Sequence, residues 1–213
     1  MFEPIDIVHS IHNAFRRDIF QIDDLVLKTT LANGDLTSVL DRFHIMGEVL
    51  DYHARGEEAA VFPAVGNLAP LVPPTYFLDH RELDNMVGVL EDLRKSPDHI
   101  ATARATAVLK SHLRIHLDKE DAFLYPLLKE KTTISEQASI AGAMSKKVPP
   151  DRFPDLVHWL MPLLDLNDQE VVAKGWMTLM PPQVFANVKL LIKKNVGANW
   201  LELTRLIPGL EIE

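Results

Sequence analysis

Cysteine is absent from this chain of 213 residues. That excludes disulfides, thiolate ligands, iron–sulfur clusters and cysteine nucleophiles, so any metal must sit on nitrogen and oxygen. A run of about eighteen apolar residues, the length that spans a bilayer, is missing too, as is a charged-then-apolar leader at the N-terminus. The expectation is a soluble, cytoplasmic protein with no membrane partner. The formal charge is −8, whereas a nucleic-acid binder needs a basic surface to neutralise phosphates. Glycine-rich phosphate loops, the nucleophile elbow of hydrolases and the zincin His-Glu-x-x-His are also wanting. So is the alternating pattern of strands.

What remains is helical periodicity. With 47% apolar residues and a mean hydropathy near zero, the chain can bury a core as one domain with an extension. A helix over about 4–28 places Val8, His12, Phe15, Ile19 and Ile22 on one stripe, and one over about 35–62 aligns Val39, Met46, Val49, His53, Glu57 and Ala60. Pro63 is expected to close the second helix. A third, about 74–94, turns His80, Asp84 and Val87 inward; a fourth, about 99–130, aligns Ala105, Leu109, His116, Glu120, Phe123 and Leu127. These predict an all-α fold, an antiparallel four-helix bundle over 1–131. Residues 132–213, with shorter helices divided by prolines and all three tryptophans, should pack against it as a helical C-terminal extension. A second apolar face on helix 2, with Leu40 and Phe62, offers it a docking surface. The extension has a net charge of −1, from eight Lys/Arg against nine Asp/Glu, so the acidity belongs mostly to the bundle.

The bundle also writes one phrase twice: "HARGEEAAVFPAV" from His53 and "HLDKEDAFLYPLL" from His116. In each copy a Glu follows the His by four positions, which at about 100° per residue puts both on one helix face. His12, His53, His80 and His116 each fall on the inward stripe of a different helix, and Glu57 and Glu120 follow two of them by one turn. Any one of these histidines alone is most simply a satisfied core residue. Two carboxylates on core stripes beside imidazoles are explained most simply by cations, because a buried ionised Glu is costly without a partner. The predicted metal ligands are therefore His12, His53, Glu57, His80, His116 and Glu120.

The order His, His-x-x-x-Glu, His, His-x-x-x-Glu, with "EE…FP" and "ED…YP" after the acids, resembles the hemerythrin-like (HHE cation-binding) family over residues 1–130. "HNAFRRDI" from His12 and "DHRELDN" around His80 are similar to its first and third helices, and residues 132–213 resemble an extension carried by some bacterial members. The resemblance implies two iron ions, oxo- or hydroxo-bridged. Oxygen-carrying members have a second His one turn after the third-helix His, where this chain has Asp84, and take their fourth-helix acid five positions after its His, where it has Asp121. Helical geometry favours Glu120, about 40° from His116, over Asp121 at about 140°.

Four imidazoles, two bridging carboxylates and a bridging oxygen fill roughly ten of the twelve positions of two six-coordinate irons. About two stay exchangeable for water or a small molecule such as O2, hydrogen peroxide or nitric oxide, or for a further side chain: Asp84 first by position, then Tyr76 or Tyr52. Zinc fits the ligand types, but six ligands on four helices suit two metals better than one tetrahedral ion. His112, one turn before His116, is a candidate to orient a ligand; His44 should face the extension or solvent, and His9 the edge of its stripe. Two functions fit: a di-iron enzyme turning over small oxidants, or a non-catalytic carrier or sensor of O2 or iron. The missing third-helix His favours redox chemistry.

Overall fold

The computed structural model describes residues 3–211, and the regular elements among them are all helical. Six helices form the bundle: α1 (Asp6–Leu31), α2 (Thr37–Gly56), α3 (Phe62–Leu68), α4 (Pro73–Lys95), α5 (His99–Lys119) and α6 (Tyr125–Lys131). Single π-helical turns, Glu57–Val61 and Glu120–Leu124, join α2 to α3 and α5 to α6 without a break, so the six helices make four rods. The rods pack in a ring, α1 against α2 and α5, and α4 against α2 and α5. This is the four-helix bundle that the periodicity predicts.

The π-turns come from the repeated phrase. Proline has no N–H, and its ring clashes with the carbonyl one α-turn back. Pro63 and Pro126 each lie six residues after their Glu. In the widened turn, the Phe62 N–H reaches the Glu57 carbonyl and the Tyr125 N–H reaches the Glu120 carbonyl. Each proline is thereby absorbed just after a π-turn, a form frequent at functional sites. Pro63 therefore does not close the second helix, contrary to the sequence reading. The extra residue also rotates all that follows: Leu124 and Tyr125 turn inward, and Phe123, expected in the core, is 70% exposed.

The extension is α7 (Ile134–Ser145), α8 (Phe153–Leu160), α9 (Leu166–Leu179), α10 (Pro182–Asn195) and α11 (Trp200–Leu206). Thr133 and Glu136 form a reciprocal capping box that starts α7, and the Asp165 side chain caps α9. α7 and α8 lie on α2, and α9 lies on α1. One apolar cluster runs through both parts, from Phe15, Ile19 and Leu113 to Leu160, Val172 and Leu203. Of the docking residues expected on helix 2, Leu40 belongs to this cluster, whereas Phe62 packs with Phe77 and His80 inside the bundle. α7 approaches α2 so closely at Gly56 that a Cβ there would meet Met144 backbone atoms at 3.3 Å. Among the described residues, no helix is long and apolar enough to cross a membrane.

Trp159 and Trp176 are buried, as tryptophans at helical spacing should be. Trp159 also pins the extension to the bundle. Its Nε1 donates to Asp18 Oδ2 at 2.6 Å, and Arg42 Nε donates to the other oxygen at 2.8 Å. Asp18 is fully buried. Burial raises its pKa despite these donors. Trp159→Phe keeps an aromatic ring but removes the pyrrole N–H, leaving Asp18 one donor short and a void beside it, so it should cost at least about 1–3 kcal/mol. Urea unfolding would check this; an unchanged midpoint would mean that the contact contributes nothing.

Candidate metal centre

The four rods bring the six predicted residues together at the bundle axis, and all six are buried. α1 supplies His12, and α2 supplies His53; α4 carries His80, and α5 carries His116. Glu57 and Glu120 each open a π-turn, one helical turn after their histidines. Ligand atoms of His12, His53, Glu57 and Glu120 all lie within 4.8 Å of one another, and so do those of Glu57, His80, His116 and Glu120. The two groups share both carboxylates. The duplication in the sequence thus becomes two similar four-ligand sets, side by side.

The imidazoles turn Nε2 inward. His12 Nε2 lies 3.1 Å from His53 Nε2; His53 Nε2 and His80 Nε2 each lie 3.3 Å from a Glu57 oxygen, and His116 Nε2 lies 3.3 Å from Glu120. Three of the Nδ1 atoms face carboxylates on the outside. His12 Nδ1 donates to Asp121 at 2.9 Å and His80 Nδ1 to Glu58 at 3.0 Å, with Asp79 3.5 Å from His116 Nδ1. Such carboxylates fix the tautomer that leaves Nε2 free to bind. Asp121 is itself held by Arg16 at 2.6 Å. With His12 and Arg16 beside it, its pKa is depressed even though burial pushes the other way.

Four buried atoms at the centre, Glu57 Oε2, Glu120 Oε1, Glu120 Oε2 and His80 Nε2, make no hydrogen bond. Buried polar atoms are normally paired, and a carboxylate with neither oxygen satisfied is costly. A cation between them would satisfy all four, so the donor set fits a metal. Without one, electrostatics must separate the two acids. Burial raises both, but the imidazoles of His53 and His80 outweigh it at Glu57 and hold that carboxyl well below its ordinary range. Glu120 is pushed well above that range by burial and by the Glu57 charge. Burial also lowers His12, and it takes His116 down to about 4.

The sign of the acid limb follows. His116 is neutral in the fold to about pH 4 but titrates near 6.5 when unfolded. Its contribution is complete above pH 6.5 and drains away as pH falls through that window. The loss for His116 is about 3 kcal/mol, and His12 adds to it in the same direction. Glu120 and His80, whose pKa values are raised in the fold, pull the other way as pH falls, so the measurement is the difference between the parent and His116→Gln in denaturant unfolding of the metal-free protein from pH 7 to 4. A pH dependence identical in parent and variant would contradict the burial of this imidazole.

The model of the Hemerythrin HHE cation binding domain matches residues 3–128, more than half of the chain. The chain belongs to the hemerythrin HHE family. Curated relatives include the zinc finger protein BRUTUS of Arabidopsis thaliana, 25% identical over 185 residues, an alignment covering 84% of this chain and 15% of that protein. Two BRUTUS-like zinc finger proteins of the same plant are 22% and 23% identical, over 98% and 82% of this chain and 18% and 16% of theirs. The chain therefore spans less than a fifth of the length of these relatives. No solved structure matches it.

Within this HHE bundle, several side chains lie elsewhere than the sequence suggested. Asp84 is exposed, because the inward face of α4 runs through Tyr76, His80, Leu83 and Leu90, and its carboxylate stays in water near Asp51. Val87 is only half-buried. Tyr76 is buried, but its hydroxyl donates to the Lys119 carbonyl at 3.2 Å; Tyr52 is half-buried beside the extension. His112 is exposed and 3.8 Å from Glu82, so Asp79 takes the place beside His116 expected of it. His44 is at the solvent boundary, one of its two expected surroundings, with its Nδ1 2.9 Å from Glu91 of α4. His9 is exposed, at the stripe's edge as expected, with Nδ1 3.2 Å from Asp121.

Tyr125 is the residue that sequence reasoning missed. It is buried, its hydroxyl donates to Glu57 Oε1, and its ring stands 5.6 Å from that of His12. Burial and the nearby Glu57 charge raise its pKa well above that of an ordinary phenol, so it remains a donor. The corresponding residue of the first copy, Phe62, stacks on His80 at 5.0 Å. The signal was the aromatic-Pro pair shared by both copies; the unforeseen π-turn hid which aromatic faced inward.

Proposed function

We propose that this protein is a non-haem di-iron protein that binds or turns over small oxidants, hydrogen peroxide, nitric oxide or O2. The observation that carries the reading is the pair of adjacent four-ligand sets sharing Glu57 and Glu120, whose buried oxygens include three without a hydrogen bond. His12 and His53 would hold one ion and His80 and His116 the other, with both glutamates between them. Nitrogen and carboxylate donors of this kind suit iron, and two imidazoles with two shared carboxylates per ion leave exchangeable positions. When bound, iron would supply one-electron redox chemistry and Lewis acidity at those positions.

The chain's own residues do the rest. Asp121, Glu58 and Asp79 orient three of the imidazoles, and Phe15, Phe62 and Tyr125 pack against the rings. These aromatics keep bulk water from the glutamates. The Tyr125 hydroxyl holds a proton at Glu57 Oε1, the nearest donor to the shared carboxylates.

Turnover is favoured over reversible carriage because the third-helix position used by O2 carriers for a second His is the exposed Asp84, which leaves the His80 side one imidazole short. The test is to reconstitute the protein with ferrous iron, record its visible spectrum, and expose it separately to O2, peroxide and nitric oxide. Rapid autoxidation, with consumption of peroxide or nitric oxide, supports the enzyme. Many cycles of O2 uptake and release without oxidation, and no turnover, would make it a carrier.

A further inference from the structure

The extension does more than cover the bundle. Between α1 and α2 on one side and α7, α8 and α9 on the other lies a cavity of about 130 Å³. Its floor includes Ile11, Val49 and His53, and its roof includes Met144, Leu156 and Met180. Apart from His53, no lining side chain can carry a charge, and the polar contribution to the wall is otherwise confined to Tyr52, Ser145 and Trp176. His53 is also the one centre imidazole that lacks a carboxylate on its outer face: among the described residues, no hydrogen bond is made by its Nδ1.

The opposite side of the centre differs. His116 borders a hollow of about 180 Å³ whose wall, beside Leu83 and Ile115, carries the ionisable Asp79, Glu82, His112 and Lys119, polar partners of the kind water needs. The centre thus has a polar approach at His116 and an apolar one at His53. A water molecule needs two to four polar partners to enter a cavity, and an apolar cavity of about 150 Å³ stays dry and takes up benzene or xenon instead. The chamber beside His53 has a volume and an apolar lining of that kind, and it opens to solvent past the exposed Ser145, the way in for a guest. Its roof belongs wholly to residues 132–213, so without the extension Ile11, Val49 and His53 would border solvent. The flexible thioethers of Met144 and Met180, both half-buried, can shift to admit a small guest.

We propose that this cavity is a binding chamber for small apolar molecules, of the chemical class of dioxygen and nitric oxide, and that the extension builds it on the His53 side of the centre. That such a guest goes on to meet iron rests on the function proposed above; that the chamber binds it does not. The test uses the full chain and xenon as the probe. Crystals of metal-free and iron-loaded protein held under xenon pressure should show anomalous density beside His53, Ile11 and Leu156. Ala141→Leu and Val148→Leu, two independent changes that add volume at the wall, should each reduce xenon occupancy while leaving iron content and melting temperature near those of the parent. In stopped flow, the filled variants should bind nitric oxide to the iron-loaded protein several-fold more slowly, with the peroxide rate, served from the His116 side, unchanged.

Ordered water in place of xenon would overturn the proposal, and so would xenon that persists in both folded variants. An unchanged nitric oxide rate in variants that have lost xenon would overturn the delivery role. If the protein binds no iron, the proposed function fails, yet the xenon result still decides the chamber.

Discussion

Ferrous iron should raise the melting temperature of the metal-free protein, and Glu57→Ala should abolish the rise. Binding to the folded state alone stabilises by about 2.7 kcal/mol at a free metal concentration one hundred times Kd. For a chain of this size that is roughly 5–10 °C. The effect is large because the metal-free centre leaves Glu57 Oε2 and both Glu120 oxygens unpaired in the core. Glu57 belongs to both ligand sets, so removing it should disable both. Calorimetry of parent and variant, with and without iron, measures the difference. An iron-dependent shift that survives in Glu57→Ala would show that the metal sits elsewhere.

The two glutamates should respond oppositely to amidation. Burial and the Glu57 charge keep Glu120 protonated in the metal-free protein, so glutamine is a close substitute there. Glu120→Gln should hold or raise metal-free stability and lose the iron-dependent shift. Glu57 is ionised, despite its burial, because His53, His80 and the Tyr125 hydroxyl surround it. Glu57→Gln breaks a buried charged pair and should cost about 3 kcal/mol before any metal is added. Chemical denaturation at pH 7 separates the two variants. Equal losses would mean that the acids are equivalent and that the proton is not held on Glu120.

Much of this was legible because helix periodicity and ligand chemistry agree. His12, His53, His80 and His116 had to share an axis once their helices formed a bundle, and the four-residue spacing placed each Glu beside its His. What escaped the pattern was the π-turn. Proline ordinarily stops a helix, whereas a widened turn absorbs Pro63, and beyond Glu120 the matching turn takes Phe123 off the periodic stripe and turns Leu124 and Tyr125 inward. Asp84 failed for another reason. Four residues after His80 is near enough in angle to join the stripe, but its helix is covered on one side only, and an unpaired carboxylate there stays in water. Nor did the sequence disclose Asp79, Glu58 and Asp121 behind the imidazoles, since one helix's periodicity says nothing of which acid a neighbouring helix presents.

One chain should hold two irons on His12, His53, Glu57, His80, His116 and Glu120. The most direct measurement is metal content of anaerobically reconstituted, gel-filtered protein, compared with His12→Ala and His80→Ala, each of which touches one ligand set. The parent should hold about two irons per chain, in keeping with two ligand sets of four, and either variant should lose iron. A folded parent that takes up a single zinc in preference to iron, or no metal at all, would contradict that assignment.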